Sequence, residues 1–260
     1  MPHGESWFSL FPFHGRMLEL AREHFGNADG VTFLSHAAPG MQHVYAGIFV
    51  LLLIAVVAVI TETSIRESGD DLLPPGTLTV RNFAELLVGA VYGMMSEMMG
   101  PKAARHFLPL IGTCAFFILI SNAIGLIPGF LPATDNLNTT FACGIVIFLS
   151  THIYGVKEHG LAYFKHFLGP VPWLAPLILP IEIVSHLARP VSLAVRLMAN
   201  MTADHLVLGI FVGFLSWATI WLPLPLPMYL LGTLVVIVQT LVFCLLSTVY
   251  ISMAIEHAEH

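Results

Sequence analysis

Residues 180–206 read PIEIVSHLARPVSLAVRLMANMTADHL, and the charges in this run decide how the rest of the chain is read. Between Phe167 and Ile255 the only Asp, Glu, Lys or Arg residues are Glu182, Arg189, Arg196 and Asp204. An ionised side chain at membrane depth costs roughly 2.5–3.5 kcal/mol on insertion scales, so a sequence that keeps Arg196 there has a use for the charge. On a helix, Glu182, Arg189 and Arg196 are spaced by seven, and Ser192, Arg196, Asn200 and Asp204 by four. All of them lie near one face, with His205 beside its outer end. At 1.5 Å per residue the stripe covers about 21 Å from Glu182 to Arg196 and about 13 Å from Arg196 to His205. A stripe of titratable and hydrogen-bonding groups of nearly membrane thickness reads as a proton path. The plainer reading, an arginine paired with one buried acid to join helices, suits a lone charge better than a row of them. Arg189, beside Pro190, also fits an interfacial anchor whose stem snorkels.

Outward from this run the composition requires a membrane. The 260 residues are 57% hydrophobic and 10% charged, with mean hydropathy +0.83, whereas soluble domains carry about 25% charged residues. The apolar runs are continuous, which excludes the alternating ~10-residue strands of a membrane β-barrel. Residues 1–43 form a polar, His-dotted segment outside the first span. Residues 44–61 (VYAGIFVLLLIAVVAVIT) are that span, long enough for a hydrocarbon core of ~30 Å. Residues 80–99 place Phe83, Leu86, Leu87, Ala90, Met94, Met95 and Met98 on one broad face interrupted by Glu85 and Glu97. That pattern predicts a helix lying at the membrane surface or packed against the bundle. Residues 107–156 form a transmembrane hairpin turning at 129–138 (GFLPATDNLN).

The remainder, 173–255, is almost uncharged and turns at the Leu–Pro alternation of 222–227. As a single helix, 173–221 would run to roughly 70 Å, more than twice the hydrocarbon thickness. Either two ordinary spans meet near Arg189-Pro190, or one long helix tilts and bends around Pro180 and Pro190. The residues alone leave both open. Arg66, Arg81, Lys102 and Arg105 lie between the first two spans and Lys157 and Lys165 follow the third, while the loops at 129–138 and 222–227 carry no Lys or Arg. The positive-inside rule then puts the N-terminus outside and the C-terminus in the cytoplasm. Cys114, Cys143 and Cys244 sit in apolar runs and read as small buried hydrophobes. The start shows no signal-peptide or transit-peptide pattern. The formal net charge of -6 is carried outside the spans.

The run RPVSLAVRLMANMTADHLVLG, with LIP ahead of PATDNLNTT and Gln239 in a late apolar helix ending YISMAIE, resembles subunit a of F-type ATP synthases from Val44 to Glu256. The resemblance implies an all-α polytopic membrane protein. It would have one single transmembrane helix, one membrane-surface helix over 80–99, one transmembrane hairpin, and two long tilted helices over 173–255. It implies a proton-translocating stator of a bacterial inner-membrane rotary motor, with the c-ring, the peripheral-stalk b subunits and the lipid bilayer as partners. Arg196 would be the essential cation facing the c-ring carboxylates, between two aqueous half-channels.

Asn200, Asp204 and His205 would serve the outer half, and Glu182, Ser185 and Ser192 the inner; His186 beside them could join the inner half but reads more readily as a satisfied interfacial histidine. Gln239 would position Arg196, and Tyr250 would lie near the inner exit. Gly232 departs from the family pattern, which has a proton-path partner there, and shifts that role to Asp204 beside His205. Asn122 matches a family position and equally suits a helix tie. No cofactor, metal, nucleotide or nucleic acid is expected, and no Walker A or HExxH sequence occurs. The competing reading is a secondary transporter with Arg196 as its substrate site. It calls for inverted repeats and paired broken helices, and no internal repeat is present.

Overall fold

The computed structural model describes residues 16, 19, 42–67, 79–127, 129–160, 175–215 and 225–256. The expectations for the outer N-terminal segment before Gln42, the polar stretch from 161 and the hairpin turn ahead of Pro225 lie outside these residues. Among the described residues five long α-helices run in order: α1 Gln42–Glu67, α2 Val80–Gly125, α3 Leu137–His159, α4 Ala175–Leu215 and α5 Pro225–Glu256. A short 3-10 turn, η1 Ala133–Asp135, precedes α3. All regular structure among the described residues is helical, and all five α-helices are long and apolar enough to cross a membrane. The chain is an all-α polytopic membrane protein.

Helix α1 outlasts its apolar run because its polar end is satisfied internally. Thr61 and Thr63 donate their hydroxyls to the Val57 and Val59 carbonyls at 2.8 and 3.0 Å, and Glu62 pairs with Arg66 on the next turn. A backbone that keeps its own hydrogen bonds can carry such residues to the edge of lipid. Only Ala46 and Val50 of α1 are buried, so most of its surface is left for lipid or another chain.

Helix α2 is two rods joined at Gly100. Its start is capped by Thr79, whose hydroxyl accepts from the Asn82 N–H at 3.3 Å. Gly100 has φ 78° and ψ 158°, a conformation that costs a side-chain-bearing residue heavily. Pro101 disfavours a helical residue before it and presets the φ of the next helix start. The second rod therefore begins at Pro101 rather than at Phe107. On the first rod Val91 and Met95, four apart, are buried with Phe107, Ile111 and Ala115 of the second and with Cys244 and Ile251 of α5. Ser252 of α5 donates to the Met98 carbonyl at 3.4 Å. These contacts pack the first rod against the bundle.

Helix α4 is one helix of 41 residues, with Pro180 and Pro190 inside it. At 1.5 Å per residue that is about 60 Å, twice the thickness of a ~30 Å hydrocarbon core. The alternative of two ordinary spans meeting at Arg189-Pro190 does not occur. Helix α3 approaches α4 backbone to backbone at the proline: a Cβ on Gly144 would lie 3.0 Å from the Pro190 carbonyl oxygen. Leu193 and Leu197 pack with Ile118, Ile147 and Phe243. The outward face of α4 carries Ile181, Val184, Leu187, Val191 and Val195, and α5 adds Leu230, Leu234, Ile237, Leu241 and Leu245, all exposed. Apolar side chains cost nothing against lipid or a second apolar helix.

Candidate functional site

Helices α4 and α5 run antiparallel and fix the site by a shared register. Asn200 donates its amide to Gln239 Oε1 at 2.7 Å, and the Arg189 guanidinium lies over the Tyr250 ring at 5.3 Å. From Asn200 back to Arg189 and from Gln239 on to Tyr250 the step is the same, eleven residues. Eleven residues are close to three full turns, so both contacts fall on one seam. Arg196 stands one turn from Asn200 on this seam, and it is exposed on a surface made largely of aliphatic side chains.

On the Asn200 side of Arg196 the polar groups converge. Asp204 fills the space that a side chain on Gly232 would take, since a Cβ there would meet Asp204 Oδ2 at 3.0 Å. The His205 ring lies over Gly125 in the same way, its Nε2 2.7 Å from where a Cβ would stand. Thr202 donates its hydroxyl to Asp135 Oδ1 at 2.6 Å, bringing η1 to α4. The Asp135 and Asp204 carboxylates both act electrostatically on the His205 ring. Two glycines on two other helices thus make room for an acid and an imidazole side by side on α4. Such a group of hydrogen-bonding side chains can pass a proton between neighbours.

This constellation, with the R-L-x-x-N run at its centre, is where comparison with known proteins becomes informative. The ATP synthase A chain family matches residues 44–252.

The chain belongs to this family.

An ATP synthase subunit a from Sorangium cellulosum (strain So ce56) is 42% identical over 234 residues, covering 89% of this chain and 90% of its own. The subunit a 1 of Syntrophotalea carbinolica (strain DSM 2380 / NBRC 103641 / GraBd1) is 47% identical over 236 residues, covering 91% and 94%. The subunit a of Geobacter sulfurreducens (strain ATCC 51573 / DSM 12127 / PCA) is 50% identical over 179 residues, covering 69% and 76%.

On the Glu182 side of Arg196 lies a second polar group. His186 Nδ1 is 3.4 Å from Glu182 Oε1 and 3.0 Å from the Glu182 carbonyl oxygen. The His152 ring of α3 meets the His186 ring edge-on, with centroids 5.6 Å apart. Ser192 is exposed and donates to the Arg189 carbonyl of its own helix at 3.0 Å, so its hydroxyl is engaged locally. Among the described residues no group of three or more His, Cys, Asp or Glu could hold a metal ion.

Of the residues singled out in the sequence, Asn200 is hydrogen-bonded to Gln239, Arg196 and Asp204 lie one turn to either side of Asn200 on α4, and His205 follows Asp204. Glu182 and Tyr250 join Arg189 and His186 further along. Asn122 is buried, and its Oδ1 accepts from the Thr134 hydroxyl of η1, while Ser121 lies 3.5 Å from the same hydroxyl. It ties the turn, not a second helix, to α2. Two residues escaped the sequence reading. Asp135 sat in a stretch read only as a turn, and His152 in a span read only as apolar. An ionisable residue within a span is the signal that would have flagged His152.

Proposed function

We propose that this chain is the proton-translocating stator subunit of a rotary ATP synthase, holding two half-channels that meet at Arg196. The observation that carries the reading is an exposed arginine within a largely aliphatic helix surface, with a polar group on either side of it along one helix. An arginine side chain stays charged and does not relay protons by losing its own. Its value is to favour the ionised form of a carboxylate brought within a few ångströms.

In this mechanism each c subunit of the ring carries one such carboxylate past Arg196. A protonated acid is neutral and travels through lipid at little cost. On reaching the Glu182 side it gives its proton to that half-channel, and the resulting carboxylate is held by Arg196. On leaving Arg196 it takes a proton from the row of Asp204, His205 and Asp135. The fixed cation between the two halves blocks a direct proton leak. Asn200 and Gln239, hydrogen-bonded across α4 and α5, set the distance between the helices at this point. The c-ring, the b subunits of the peripheral stalk and lipid are the partners, with the N-terminus outside and the C-terminus in the cytoplasm. The basic loops support that orientation.

The test is ATP-driven proton pumping by the reconstituted complex with Arg196→Ala. Pumping is expected to be lost with the complex still assembled. Undiminished coupled pumping would overturn the assignment.

A further inference from the structure

The polar group on the Glu182 side contains more than the proposed path uses. His152 projects from α3, within a helix segment apolar enough to span the membrane, and faces His186 of α4. An imidazole at such a depth marks a functional site unless packing alone explains it. Charged and polar groups lie beside the pair within an otherwise apolar lining. The two rings line a cavity of about 20 Å³ with Thr151, Arg189 and Tyr250 among apolar residues such as Ile147, Phe148 and Leu193, room for one water molecule.

The backbone contacts fix the tautomer of each ring. His152 Nδ1 lies 2.8 Å from the Phe148 carbonyl oxygen, and His186 Nδ1 lies 3.0 Å from that of Glu182. A carbonyl only accepts, so Nδ1 carries the hydrogen in both rings and Nε2 is the basic atom of each neutral imidazole. The groups facing the pair come from three helices. Glu182 and Arg189 come from α4, Tyr250 from α5 and Thr151 from α3 itself. The nearby titratable ring of α2, His106, stacks instead on Tyr154 of α3, beside Lys157. His186 is ten residues from Arg196, about 15 Å along the axis.

We propose that His152 and His186 act as a proton-exchanging pair for the Glu182-side half-channel, taking a proton at Nε2 and passing it on while Nδ1 stays anchored to the backbone. The inference rests on the half-channel reading above. One proton enters and one leaves per exchange, so the pair is unchanged over a cycle. His152 is the residue that distinguishes the device, because it reaches the path from a helix other than α4.

The experiment uses the whole complex in inverted membrane vesicles, where the medium bathes the cytoplasmic face. ATP-driven acidification is measured as the pH of that medium is varied. His152→Asn places an amide N–H where Nδ1 lies and keeps the bond to the Phe148 carbonyl, but cannot accept a proton. It is expected to slow pumping by roughly tenfold, modest beside full general acid–base assistance because water can substitute in part. It should also remove the rate's dependence on medium pH through the histidine range. Wild-type rate and pH profile in assembled His152→Asn complex would overturn the proposal. If His152→Asn impairs assembly, the same two readings on His186→Asn decide. Arg196→Ala run alongside separates the two ideas. A wild-type His152→Asn beside a dead Arg196→Ala refutes only the histidine pair, whereas an active Arg196→Ala refutes the half-channel reading itself.

Discussion

Substituting Gly232 by alanine perturbs the outer row at one point. The added Cβ would stand 2.8 Å from Leu126 Cδ2 and 3.0 Å from Asp204 Oδ2, where ordinary contact begins at 3.4 Å. Leu126 Cδ2 is the end of a flexible side chain and can turn aside. The Asp204 carboxylate must then retreat by about 0.4 Å, and the overpacking falls at the low end of the usual range, about 1 kcal/mol. That leaves assembly intact. Proton transfer is less forgiving, because the working hydrogen-bond window of about 2.6–3.2 Å is itself only some 0.6 Å wide. A shift of this size crosses most of it, and a barrier raised by about 1.4 kcal/mol slows flux about tenfold. Passive proton flux through the reconstituted membrane sector, measured under an imposed potential, reads this directly. Gly232→Asp combined with Asp204→Gly puts a carboxylate into the same space from α5 and should recover most of the flux. The reasoning fails if Gly232→Ala conducts at the wild-type rate while Asp204→Asn does not, since Asp204 would then work without the slot that Gly232 leaves.

Three further outcomes follow from the same geometry. Asn200→Ala and Gln239→Ala should each destabilise the complex by about 1 kcal/mol and couple by about 0.6 kcal/mol, as bonds between membrane helices do; strictly additive shifts in thermal unfolding of the assembled complex would show that the 2.7 Å bond contributes nothing. Gly125→Ala drives a Cβ to within 2.7 Å of His205 Nε2, so proton flux should fall while ATP hydrolysis by the detached catalytic sector is untouched; equal rates would remove His205 from the path. Gly100→Ala forces a side chain into φ 78° at a cost of about 1–3 kcal/mol, which should appear as lower yield of assembled complex without altered flux per complex.

Much of the helical layout was legible because lipid imposes a simple rule: uninterrupted apolar length makes a span. The bound after residue 99 was legible as the end of an amphipathic pattern, and the structure puts the break itself at Gly100-Pro101. The ends of α1 and of the second rod of α2 were not legible. Threonine hydroxyls that bond their own helix, and a proline that starts one, extend helices beyond their apolar runs. The placement of 80–99 stayed open for a similar reason. Val91 and Met95 suit lipid and a neighbouring helix equally well, and only the tertiary structure shows α5 lying against them.

The chain by itself determined that an arginine stands in a membrane helix, with polar partners every turn on either side of it. Periodicity of 3.6 residues and the cost of burying charge in lipid are local physics, and the sequence carries both. What the tertiary structure alone decided is what lies opposite each of those groups. It seats Asp204 in the gap above Gly232 and His205 over Gly125, and it brings Asp135 and His152 to α4 from far away in the chain. Glycine records only a missing side chain, and which neighbour enters the space depends on how helices distant in sequence are set side by side.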